Sequence, residues 1–183
     1  MKIKLSNVRL SFPALFTPEA FKPGDEKKFK AVFLIPKNDP QVAAVEAAAL
    51  AALNTKFPGK GVAIRRQIEG NRNKCCIQDG DTSEYDGYED CIAVSAKSPV
   101  RPLVIDRDKS PLVEEDGRPY AGCYVNASIE FFGYNNSGNG LSAQLRGVQF
   151  FRDGDAFAGG RPADPDEFDD LADLAAEAAD DLF

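Results

Sequence analysis

YAGCYVNASIEFFGYNNSGNGLSAQLRGVQFF, Tyr120 to Phe151, decides how the rest of the chain is read. Its first half alternates. Cys123, Val125, Ala127, Ile129 and Phe131 fall on one side and are all apolar. Tyr124, Asn126, Ser128, Glu130, Phe132 and Tyr134 fall on the other. Period-two patterning of this length marks a β-strand with one face in a core. NNSGNG then supplies a turn, with Gly138 and Gly140 available for positive φ, and LSAQLRGVQFF is the returning strand. Continued alternation puts Leu141, Ala143, Leu145, Gly147 and Gln149 inside. It puts Ser142, Gln144, Arg146, Val148, Phe150 and Arg152 outside. The predicted outer surface of this hairpin therefore interleaves aromatic rings with arginines and neutral polar groups.

Moving outward, IKLSNVRLSF (residues 3–12) alternates and is a strand, and KKFKAVFLIPK (27–37) is a second, ended by Pro36. Between them PALFTPEAFKPGDE carries three prolines and a glycine and reads as a long exposed loop. NDPQVAAVEAAALAALNTKF is a helix. Asp39 is its cap, Pro40 suits the first helical position, and Val42, Val45, Ala49 and Ala52 or Leu53 make the apolar stripe. GVAIRRQIEGNRNKCCIQDGD reads as one or two short strands and a turn at Asp79-Gly80-Asp81. SEYDGYED is a polar loop with two tyrosines, CIAVSAKS a short strand, and residues 99–120, with four prolines, another loop. Five or six short strands with one inserted helix and long loops fit a mainly β, five-stranded Greek-key barrel of the oligonucleotide-binding (OB) type better than a sandwich.

Charge is unevenly placed. All 22 Lys and Arg lie at or before Arg161; of 29 Asp and Glu, nine lie after it, leaving 20 acids against 22 bases and a body of net +2. The division expected is a domain over 1–158 and a flexible acidic tail over 159–183, ending Asp180, Asp181, Leu182, Phe183. Like charges so dense repel, and the Asp-Asp-Leu-Phe ending suits insertion into a partner's pocket with a basic rim. The four cysteines match no zinc spacing and the chain has no histidine, so no metal or cofactor is implied. Neither an apolar leader nor an 18-residue apolar run is present, which points to a reducing cytoplasm.

Rings alternating with cations suit single-stranded nucleic acid. Bases stack on aromatic faces for roughly 1–3 kcal/mol each without reading a sequence, while Arg and Lys hold phosphates. The candidate contacts are Tyr124, Phe132, Tyr134, Phe150, Arg146 and Arg152 on the hairpin, Lys28 and Lys30 on the second strand, and Arg65, Arg66, Arg72 and Lys74 in the weak region. The tail carries negative charge and aromatic groups, as DNA does, and is expected to compete for the same groove. Two other readings compete. Asp79, Asp81, Glu84 and Asp86 are the best acidic cluster for a magnesium nuclease, which needs carboxylates converging on ions ~4 Å apart. An assembly protein using only the tail has no affinity for oligonucleotides.

VRLSFPALFTP, KFKAVFLIPK, IQDGD, PLVID and YAGCYVNASIEFFGYNNSGNGLSAQLRGVQFFRDGDAFAGG together resemble a phage family long filed as a domain of unknown function, similar to phage single-stranded DNA-binding proteins. The acidic ending is also similar to that of such proteins in bacteria and phages. The resemblance covers most of residues 5–160. It implies an OB barrel, binding of single-stranded DNA regardless of sequence, and a role in phage replication or recombination within the infected host's cytoplasm. The partners implied are single-stranded DNA, replication or recombination proteins reached through the tail, and further copies of the chain along the strand, with no membrane.

Overall fold

The structure, a computed structural model, describes residues 1–157. The strands are β1 (Lys2–Glu19), β2 (Lys28–Pro36), β3 (Ile77–Asp79), β4 (Cys91–Ser98), β5 (Leu103–Ile105), β6 (Tyr124–Asn135) and β7 (Asn139–Arg152). Two helices, α1 (Gln41–Lys56) and α2 (Gly61–Ile68), connect β2 to β3.

Five strands close a barrel. The ladder runs β4-β2-β1-β6-β7, all antiparallel, and a parallel pairing of β4 with β7 at Lys97 and Gln144 joins its ends. β3 extends the sheet beside β4, and β5 lies parallel to β7. This is the OB barrel expected from the strand count. β1 is shared: Lys2 to Arg9 pair with β6, and Arg9 to Glu19 pair with β2. The interior holds Leu5, Val8, Leu10, Phe33, Ile35, Val94, Ile129, Phe131, Leu145 and Phe150, and the helices add Val45, Ala49, Leu53, Ile64 and Ile68 to the same core.

Three departures from the sequence reading have physical causes. β1 runs on to Glu19 through the segment read as a loop. Its prolines are tolerated because the ladder is already irregular there: Phe12 has φ +45° and the register shifts between Ser11 and Ala14, so Pro13 falls in a bulge that needs no donor. The segment around Arg65 is a second helix, not a strand. Ile64 and Ile68 are buried one turn apart, and its first amide, Gly61 N–H, donates to Asn54 Oδ1 at 2.9 Å. Finally, β7 does not keep one parity. Ser128 pairs with Gly147 but Ile129 pairs with Leu145, so Arg146 is an extra, bulged residue and the side chains from Gly147 to Phe150 change face.

Other expectations hold. α1 starts after Pro40, Asp39 Oδ1 accepts from Gln41 N–H at 2.8 Å, and Val45, Ala49, Ala52 and Leu53 are buried. The hairpin turn uses Gly138 at φ +110°. Gly140 is needed for a different reason: a Cβ there would meet the Tyr134 ring at 2.2 Å. All four cysteines are free thiols. Among the described residues no helix is long and apolar enough to cross a membrane. The tail, including Asp180, Asp181, Leu182 and Phe183, lies outside the described residues.

Candidate nucleic-acid interface

The outer face of the hairpin contains most of the predicted rings, in unequal exposure. Phe132 is 46% exposed and borders a cleft of about 430 Å³ with Lys56, Thr55 and Gln144. Tyr124 is half-buried under the Arg152 guanidinium, 3.6 Å from its ring centre. Tyr134 is half-buried; its hydroxyl donates to the Asn73 carbonyl at 3.3 Å and Lys74 Nζ lies 5.9 Å from its ring. Arg146 points outward and pairs with Glu130 at 2.9 Å. Phe150 is corrected. The bulge at Arg146 turns it, with Val148, into the barrel, where it is 2% exposed and offers no face to a base. A second register shift leaves Phe151 as the extra residue before Arg152, and both are exposed.

The basic residues of the weak region make separate local contacts. Arg65 clamps α2 to α1 through Glu46, with Nε at 3.1 Å and Nη2 at 2.8 Å from the carboxylate oxygens. Lys74 Nζ donates to the turn carbonyls of Asn136 and Ser137. Arg72 Nη2 donates to the Thr82 carbonyl, and Arg66 is exposed on α2. These contacts give Arg65 and Lys74 local structural roles.

Lys28 and Lys30, by contrast, lie on a second wall built by β1, β2 and β4. Lys28 is 3.7 Å from Glu26 and Lys30 is 3.4 Å from Glu19. Lys97 of β4 is the cross-strand partner of Lys30 and shares its outward face. A cleft of about 450 Å³ opens here, lined by Phe12, Pro13, Lys30, Tyr85, Asp86 and Phe157 among others. Phe12 and Tyr85, 48% and 56% exposed, meet edge to face with ring centres 4.8 Å apart. Tyr85 in turn lies 5.5 Å from Tyr88, whose buried hydroxyl is hydrogen-bonded to Ser11 Oγ at 3.0 Å. Burial pushes the Tyr88 hydroxyl's pKa up, so it stays protonated as an anchor for the loop. Phe21, in the β1–β2 loop, is 83% exposed.

Sequence reasoning missed Phe12 and Tyr85. Phe12 is outward only because the bulge gives it a left-handed backbone. The two tyrosines of SEYDGYED were visible, but the loop's fold-back onto β1 was not.

The acidic cluster is a braced turn. Lys37 Nζ lies 2.8 Å from Asp79 Oδ1 and 2.5 Å from Asp81 Oδ2. The Lys37 hydrogen bond is the main cause holding both carboxyls below their usual range. Asp79 also accepts from Asp81 N–H, closing the turn. A lysine ammonium thus bridges the two carboxylates considered for a metal, and Glu84 and Asp86 are exposed. Among the described residues no three His, Cys, Asp or Glu side chains converge on a point.

A barrel closed in this way has counterparts among solved structures. The family described as Enterobacter phage Enc34, ssDNA-binding protein, matches residues 1–183. The chain belongs to this family. "Putative protein p50" of Acyrthosiphon pisum secondary endosymbiont phage 1 is 52% identical over 174 residues, covering 94% of this chain and 95% of that one. The single-stranded DNA-binding protein of bacteriophage Enc34, solved in complex with ssDNA, is 26% identical with a TM-score of 0.70, over 85% of this chain and 89% of that one. The single-stranded DNA-binding protein gp2.5 of bacteriophage T7 is 15% identical with a TM-score of 0.56, over 94% and 93%, and shows the shared fold alone. Membership in the Enc34 family bears out the resemblance carried by the hairpin and the β1–β2 motifs.

Proposed function

We propose that the chain binds single-stranded DNA without regard to sequence and coats it during phage replication or recombination in the host cytoplasm. The observation that carries this reading is the Phe12–Tyr85 ring pair beside Lys30, in an open cleft on the barrel wall. β2 and β4 are the second and third strands of the barrel, the wall on which OB folds bind oligonucleotides. Rings accept any base by stacking, and Lys28, Lys30 and Lys97 supply cations for phosphates, so the expected binding is tolerant of sequence. A family relative solved with ssDNA supports it. Tyr124, Phe132, Arg146 and Arg152 on the adjoining hairpin face would extend the track. The acidic tail is the part proposed to recruit replication or recombination proteins and to compete for the groove. Nothing in this binding needs a catalytic group.

Fluorescence anisotropy with labelled single-stranded and duplex oligonucleotides at several salt concentrations tests the reading. We expect preference for the single strand and a log–log salt slope near −0.7 per phosphate neutralised. Phe12→Ala and Tyr85→Ala should each weaken binding by roughly 1–3 kcal/mol. Full affinity in both variants would move the site to the hairpin face; no affinity in the native chain would leave an assembly protein. Cleavage of the labelled strand in Mg²⁺ would reinstate a nuclease.

A further inference from the structure

The end of the described chain is fastened to the barrel wall. Tyr120 Oη donates to Asp153 Oδ1 at 2.7 Å and accepts from Gly154 N–H at 3.2 Å. Gly154 lies against the Tyr124 ring. Arg9 Nη2 donates to the Asp155 carbonyl at 2.7 Å, and Nε donates to the Gly122 carbonyl at 3.1 Å. Phe157 N–H donates to the Ala121 carbonyl at 3.0 Å. The Phe157 ring covers the Arg9 guanidinium at 4.2 Å and packs on the outer cluster of Leu34, Tyr88 and Ala93. The neighbouring loop leaves room for it: at Gly87, φ +82°, a Cβ would lie 2.7 Å from the ring.

Arg9 is cross-strand partner to both Tyr124 of β6 and Leu34 of β2. It therefore stands where the hairpin face meets the β1–β2 wall. The strap of residues 153–157 runs across this junction, from Gly154 against the Tyr124 ring to Phe157 in the lining of the cleft of Phe12, Tyr85 and Lys30. We propose that Arg9 is a DNA-binding residue held in reserve beneath this strap, and that an arriving single strand displaces Phe157 and takes the guanidinium for itself. The exchange is favourable on chemistry. Phe157 offers Arg9 only a ring quadrupole and Asp155 only a neutral carbonyl, whereas a phosphate offers a full opposite charge and bidentate hydrogen bonds. Once uncovered, Arg9 links the two faces into one continuous track. The proposal rests on the DNA-binding reading above.

The test uses the full chain. Phe157→Ala removes the cover. It should raise affinity for an oligothymidylate about threefold or more and leave the salt slope unchanged, because Arg9 already meets a phosphate in the native complex. In the Arg9→Ala/Phe157→Ala double variant the gain in affinity should be lost and the salt slope should be shallower than the native one by about 0.7, one phosphate fewer. Hydrogen exchange in the native chain is the second measurement: the Phe157 amide, protected by Ala121, should lose protection when oligothymidylate saturates the protein. Unchanged or weaker affinity in Phe157→Ala, or a Phe157 amide that stays protected on DNA, overturns the strap proposal. Loss of all ssDNA affinity in the native chain would instead overturn the function on which it rests.

Discussion

Phe150 and Phe12 show how much hangs on one backbone position. Phe150 is inside because Arg146 is bulged ahead of it. Phe12 is outside after two irregularities in β1: a register shift between Leu5 and Val8 with Asn7 at φ +52°, and its own left-handed backbone at φ +45°. Side-chain identity carries no trace of such an insertion. A register change of one residue exchanges the faces without changing composition. The β6 face, which has no bulge between Val125 and Ser128 or between Ile129 and Asn135, was legible in full. Phe150→Ala should therefore act on the core, destabilising the fold by about 3–5 kcal/mol in a urea titration, while the folded fraction keeps its affinity for DNA. An affinity loss without a stability loss would return Phe150 to the surface.

Among the elements, α1 was readable from end to end, since its cap, first proline and apolar stripe are local signals. α2 was not. Eight residues are too few for periodicity to outweigh the glycines around them, and its start is fixed by Asn54, seven residues upstream of Gly61. The turn after β3 was recognised as a turn, but its brace to the end of β2 through Lys37 is tertiary and has no sequence signature. That brace gives a pH dependence. Lys37 holds Asp79 and Asp81 below the ordinary carboxylate value of about 3.9, so their stabilising contribution is present above that pH and is lost as pH falls through the lowered values. Lys37→Met should lower the urea midpoint relative to the native chain at pH 5, and the gap should close by pH 2. A gap independent of pH would assign Lys37 a packing role alone.

At the scale of the whole molecule, the count of strands and the single long helix were enough to indicate the barrel. Its closure by β4 against β7 was not visible, because a parallel pair far apart in sequence leaves no local mark. The charge split was visible at once. It implies that the carboxylates beyond Arg161 oppose the approach of DNA to a body with a slight positive excess. Deleting residues 164–183 should tighten binding at low salt, and the advantage should shrink as salt shortens the Debye length from about 10 Å at 0.1 M to about 3 Å at 1 M. Anisotropy titrations of both chains across that range would show it; equal affinities at low salt would remove the tail from the groove.

The pairing of Lys2 with Glu130 has a consequence for biosynthesis. The stretch of β1 from Lys2 to Arg9 must wait for β6 before that edge is satisfied, so a nascent chain halted before β6 cannot close the barrel. Links between such distant positions also slow the search for the native state. The barrel thus cannot close until β6 and β7 have been made.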